Sequence, residues 1–96
     1  MSEAVASPQA ELVPRLPRGV RLKLDETRSQ WLLLAPERVV KLDAVAKAIL
    51  ERVDGVATIG RIVDDLAAAY AAERAVIEAD VTKLLNELAA KRMVDL

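Results

Sequence analysis

Ninety-six residues with 53% hydrophobic and 30% charged side chains specify one folded domain and exclude a disordered chain. With one Trp, one Tyr and no Phe, the core falls to Leu, Val, Ile and Ala, and with no Cys and no His disulfides, thiolate chemistry and the commonest general base and metal ligand are excluded. The net charge of −1 divides into seven basic against three acidic residues across positions 15–41 and six against nine from position 48 onward, a mild bias that suits attraction of an acidic partner at the front of the chain.

Residues 1–14, where Ser2, Ser7, Pro8 and Pro14 are mixed with Ala, Glu and Gln, read as a flexible tail or linker, and residues 15–96 as the folded domain. Pro17 and Gly19 punctuate its start. Val20, Leu22 and Leu24 alternate with Arg21, Lys23 and Asp25, which predicts a strand with one apolar face. Residues 25–29 are polar and read as a loop. Residues 31–35, Trp-Leu-Leu-Leu-Ala, predict a second strand covered on more than one side. Residues 35–38 form a turn around Pro36, and residues 39–42 a short third strand. Short turns between three strands make an antiparallel meander.

The period changes at Asp43, a good N-cap. Val45, Ala46, Ile49, Leu50 and Val53 follow at helical spacing, and Asp54-Gly55 is expected to end that helix. Thr58 caps a second helix striped by Ile59, Ile62, Val63, Leu66 and Tyr70. Ile77, Val81, Leu84, Leu85 and Leu88 stripe a third. No Gly or Pro separates the last two. A single helix over residues 58–92 would nevertheless be about 50 Å long, and Glu73-Arg74 interrupts its apolar face, so a break is expected near residues 72–76. Met93-Val94 is expected to fold back on the core. The longest apolar run, residues 31–35, is far short of the ~20 residues of a membrane span, and the start of the chain lacks the pattern of a signal peptide. A cytoplasmic protein is expected.

Little in this sequence carries covalent chemistry. Gly19, Gly55 and Gly60 form no phosphate loop. Asp64 and Asp65 are adjacent on a helix and so point about 100° apart; Glu87 and Lys91, like Asp80 and Lys83, are spaced as surface pairs. The chain therefore reads as non-catalytic, with no cofactor and no metal. A three-strand, three-helix domain is winged-helix-like, which makes a DNA-binding or regulatory domain the alternative reading. Its third helix balances Lys83, Lys91 and Arg92 against Glu78, Asp80 and Glu87, no stripe for neutralising phosphates.

The segments occur in a recognisable order. Residues 31–42, and within them Leu34-Ala35-Pro36-Glu37-Arg38, are followed by Ile49-Leu50, Asp54-Gly55, Thr58, Ile62-Val63, Asp80-Val81 and Leu84-Leu85, and preceded by Leu16-Pro17-Arg18-Gly19-Val20-Arg21-Leu22. Over about residues 15–94 the chain resembles the PqqD family of pyrroloquinoline quinone biosynthesis; the run at residues 34–38 joined to Asp54-Gly55-x-x-Thr58 is fairly specific. The resemblance implies an α+β, winged-helix-like fold, an N-terminal three-stranded antiparallel sheet followed by three helices. It implies a peptide chaperone that binds the precursor peptide PqqA and presents it to the radical SAM enzyme PqqE, whose chemistry links a Glu and a Tyr of that peptide. Related domains act as leader-recognition elements in other peptide-modification pathways. Some relatives are fused behind the oxidase PqqC, and the front tail suits such a tether.

The physical route to peptide binding is strand addition at a sheet edge. The expected edge is Arg38, Val39, Val40, Lys41 and Leu42. The expected groove wall is the third helix, through exposed parts of Val81, Leu84, Leu85 and Leu88, with Arg38 and Lys41 meeting acidic residues of the peptide. An exposed edge also invites self-pairing, and the sequence leaves monomer and dimer open.

Overall fold

The computed structural model describes residues 8–96. Three strands, β1 (Arg21–Asp25), β2 (Gln30–Ala35) and β3 (Arg38–Leu42), precede three helices, α1 (Ala44–Leu50), α2 (Ile59–Tyr70) and α3 (Arg74–Ala90). The strands form one antiparallel sheet in the order β1-β2-β3. This is the α+β, winged-helix-like arrangement expected.

The meander follows from its turns. Proline holds φ near −65°, and Glu37 takes φ 65, so Pro36-Glu37 has the signs of a type II turn. That turn sets Ala35 opposite Arg38, and the register continues through Leu33 opposite Val40 to Trp31 opposite Leu42. Across the other side Leu22 faces Leu33 and Leu24 faces Trp31. Leu22, Leu33 and Val40 therefore lie in one row on the core face, with Leu33 fully buried. Lys47 of α1 places its Nζ 4.9 Å from the centre of the Trp31 ring, a cation over an aromatic face.

The helices start where side chains satisfy free amides. Asp43 Oδ1 accepts from the Ala46 amide at 2.7 Å, and Thr58 Oγ1 from the Arg61 amide at 3.1 Å. The first helix is shorter than the sequence suggests. It ends at Leu50, and Gly55, at φ 79, belongs to the turn beyond it and does not cap it. Asp54 Oδ1 accepts from the amides of Val56 and Ala57 at 2.8 and 2.9 Å, and that turn competes with further helix. The break between α2 and α3 falls at residues 71–73, made by Ala71 in the left-handed region at φ 49. Arg74 Nε then donates to Asp64 Oδ1 at 2.6 Å, tying the start of α3 to α2.

The core is aliphatic. Leu33, Ile49, Leu50, Ile62, Val63, Val81 and Leu85 are each 0–1% exposed, and Met93 and Val94 join them at 1–2%. The fold-back at the chain's end is held by a bridge in which the Arg15 and Asp95 backbones exchange hydrogen bonds at 2.9 and 2.8 Å. Residues 8–14, read from sequence as part of a tail, lie against the domain. Pro8–Glu11 is a 3-10 turn, the Leu12 carbonyl accepts from the Ile59 amide at 2.9 Å, and Pro14 is fully buried. This close approach needs Gly60, where a Cβ would stand 3.2 Å from the Ala10 carbonyl oxygen. Residues 1–7 of the expected tail lie outside the described residues.

Candidate functional site

Among the described residues, β3 has a strand on one side only. In an antiparallel pair, opposed residues alternate between hydrogen-bonded and non-hydrogen-bonded pairs. Ala35 and Arg38 close a two-residue turn and so form a bonded pair. Val40 with Leu33 and Leu42 with Trp31 are bonded pairs in turn. The backbone N–H and C=O groups of Val39 and Lys41 then point away from β2, to an edge where no strand pairs among the described residues. Gln30 Nε2 donates to the Leu42 carbonyl at 2.7 Å, which closes off the end of the strand.

Beyond β3 lies a groove. It begins at Asp43 and runs between the first turn of α1 (Val45, Ala46) and the outer side of α3 (Asp80, Lys83, Leu84, Glu87), with a volume of about 290 Å³. A second hollow of about 270 Å³ shares Val45, Ile49 and Asp80 with it and continues to Leu66, Tyr70 and Ile77. Apolar side chains stand at the rim, with Val45 53% and Tyr70 60% exposed. The groove wall is charged in a mixed way, by Asp43 after β3 and by Asp80, Lys83 and Glu87 on α3, while Arg38 and Lys41 are exposed on β3 itself.

The expected site residues separate into two groups. Arg38, Val39 and Lys41 are exposed on the open edge strand, Val40 is half-buried on the core face, and Leu42 is 5% exposed. On α3, Val81, Leu85 and Leu88 are 0–2% exposed and belong to the core; Val81 also lines the second hollow, whereas Leu85 and Leu88 line neither hollow, which corrects their expected placement. Leu84 alone of those four is half-exposed and lines the groove. The reason is geometric: Leu84 and Leu85 are about 100° apart on a helix, so when one points at the core its neighbour points aside. Val45, Asp80, Lys83 and Glu87 were missed. The phase of α3 carried a signal for three of them, because Asp80 and Glu87 share the flank of Leu84 at spacings of four and three, and Lys83 is in turn three and four residues from Asp80 and Glu87. Val45, read from sequence as part of the first helix's apolar stripe, is 53% exposed in the first turn while Ala46, Ala48, Ile49 and Leu50 are buried.

No polar or charged side chain is buried among the described residues, and none of their His, Cys, Asp and Glu side chains gather into a metal-holding group. No helix among the described residues is long and apolar enough to cross a membrane. What the site offers is backbone hydrogen-bonding groups beside an apolar hollow.

A family model described as coenzyme PQQ synthesis protein D (PqqD) matches residues 30–94. The chain is 51% identical over 83 residues to a bifunctional coenzyme PQQ synthesis protein C/D of Methylorubrum extorquens, covering 86% of this chain and 22% of that protein. It is 49% identical over 83 residues to a PqqA binding protein of Xanthomonas oryzae pv. oryzae, covering 86% of this chain and 90% of the relative. Among solved structures it resembles the PqqD truncation of Methylobacterium extorquens PqqCD, described as a functional and stand-alone recognition element for ribosomally synthesized and post-translationally modified peptides. The identity is 50%, the TM-score 0.77, and the match covers 88% of this chain and 89% of that one. It also resembles TbiB1 in complex with the TbiA(β) leader peptide, at 25% identity and a TM-score of 0.71, over 84% of this chain and 94% of that one.

Proposed function

The chain belongs to the PqqD family, and from that premise we propose that it is a peptide chaperone that takes the precursor peptide PqqA as a fourth strand on β3 and presents it to the radical SAM enzyme PqqE. The carrying observation is the edge of β3, unpaired among the described residues, followed by a mixed polar and apolar groove between α1 and α3 that adjoins an apolar hollow. Strand addition gains main-chain hydrogen bonds from Val39 and Lys41, while alternate peptide side chains enter the hollow beside Val45 and Leu84. The relative named for PqqA binding and the neighbour holding a leader peptide support this choice of ligand.

On this reading the chain binds and does not catalyse. Without His or Cys and without a buried ionisable group among the described residues, it lacks the buried acid, base or nucleophile that such chemistry uses. Arg38 and Lys41 steer acidic peptide residues; exposed ion pairs of this kind are worth about 0–1 kcal/mol each. Work in the cytoplasm, and association with PqqC such as the name of the Methylorubrum extorquens relative implies for that protein, complete the reading.

The test is an NMR titration of the isotope-labelled chain with synthetic PqqA. Shifts are expected at residues 38–42, at Val45 and along the Asp80, Lys83, Leu84 and Glu87 flank of α3. Saturable binding that leaves these positions unmoved would reject the site, and no binding would reject the ligand.

A further inference from the structure

The sheet has a second face. The register that sends Leu22, Leu33 and Val40 to the core sends Arg21, Leu34 and Val39 to the other side in one row, and Lys23, Leu32 and Lys41 in the next. No helix packs there among the described residues. Arg21, Lys23 and Lys41 are exposed, and none of them makes an ion pair among the described residues. Leu32 and Leu34 lie between these cations, and Val39 beside them is 63% exposed. At one end a shallow hollow of about 450 Å³ opens between Arg21, Leu34, Gly19 and Pro36. Asp25 is the sole carboxylate on this face of the strands, at the far end of β1.

Given the carrier reading above, we infer that this open face is the surface on which the peptide-modifying enzyme docks, through an acidic patch with an apolar centre. Charge complementarity selects that partner. A second copy of the chain in an isologous contact would set the same cations near one another. Nucleic acid would gain three cations and no aromatic platform. An apolar strip ringed by unpaired cations instead matches a protein surface that fills the strip and supplies carboxylates around it.

The position also explains presentation. A peptide added to β3 extends the sheet, and side chains in a strand alternate between its faces. Half of the peptide's side chains therefore emerge on the open face, level with Val39 and Lys41. An enzyme seated there touches carrier and peptide together, so peptide and carrier strengthen each other's hold on it.

Arg21 and Lys23 provide the test, because β1 lies two strand spacings, about 10 Å, from the peptide's edge. Binding of PqqE to the full chain is measured by calorimetry with and without PqqA, for wild type and for R21E/K23E, with NMR spectra to verify that the variant is folded. Expected are tighter enzyme binding to the wild-type chain when PqqA is present, at least a tenfold loss in R21E/K23E, and PqqA affinity within twofold of wild type. Enzyme binding unchanged in R21E/K23E overturns the docking face while leaving the carrier reading intact. No enzyme binding by the wild-type chain, with or without PqqA, overturns the presentation reading itself. Self-association of the wild-type chain, or binding of anionic vesicles, that is abolished by the variant without a change in enzyme affinity would assign the face to that occupant and overturn the proposal.

Discussion

Leu33 and Val40 stand opposite each other across β2 and β3, and the two-residue turn before them makes them a hydrogen-bonded pair. The expected edge of residues 38–42 does not by itself say which amides face outward; the register turns the Val40 amide inward. Val40→Pro is therefore expected to break the β2–β3 ladder and unfold the sheet. Lys41→Pro removes an outward amide and leaves the ladder paired. It is expected to lower peptide affinity at least tenfold, about 1.4 kcal/mol, beyond the loss in Lys41→Ala, which removes the charge alone. Calorimetric titration with PqqA, alongside thermal unfolding, separates the two positions. Equal affinities for Lys41→Pro and Lys41→Ala would place the peptide elsewhere.

Leu84 and Leu85 are neighbours with different work. Leu85 is fully buried, and Leu85→Ala is expected to cost about 2–5 kcal/mol of stability. Leu84 lines the groove and is half-exposed. Leu84→Asp is expected to lower stability by about 1 kcal/mol and to weaken peptide binding at least tenfold. Urea unfolding and peptide titration of both variants check the division. Unchanged peptide affinity in Leu84→Asp would remove α3 from the groove.

The fold was legible because its local signals agree. Alternation over residues 20–25, Pro36 at a turn, Asp43 and Thr58 at caps, and apolar stripes on the helices all point one way. The site was legible in half. β3 is an edge because it is the last strand of a meander, which chain order reveals. The groove is a relation between α1 and α3, and no pattern within either helix says which flank faces the other. That is why Leu84 was grouped with the buried Val81, Leu85 and Leu88, and why Val45 went unnamed. The front segment misled for a different reason: Pro14 is buried but belongs to no periodic element, and the segment's close approach to α2 at Ala10 uses the space left by Gly60.

Asp54 supplies a pH prediction. The amides of Ala57 and Val56, in that order of effect, hold its carboxyl below the ordinary aspartate value of 3.8. A group whose pKa is depressed by folding contributes stability that is fully present above its unfolded pKa and is lost as pH falls through the folded one. Its contribution is therefore constant at neutral pH and disappears on acidification below about pH 4. Carbon-detected NMR titration is expected to give Asp54 a pKa under 3.8, and Asp54→Asn to flatten the acid limb of the unfolding midpoint against pH. A measured value at or above 3.8 would mean that the turn bonds do not persist in solution.

Ala71 sets where α2 stops, and it does so at a steric cost. Its backbone lies at φ 49 and ψ 42, where a Cβ crowds the following carbonyl, while the Ala72 amide donates back to the Ala67 carbonyl at 3.2 Å. Glycine is free of that crowding. Ala71→Gly is expected to stabilise the domain by about 0.5–1 kcal/mol even after the greater freedom of glycine in the unfolded chain is counted, raising Tm by about 2–8 °C. Ala69→Gly, inside the helix and exposed, is expected to do the reverse, costing about 0.5–1 kcal/mol. Differential scanning calorimetry of the two variants reads the sign directly. If both lower Tm, residue 71 is helical in solution, the two helices run on, and the groove that α3 forms by turning back against α1 does not exist.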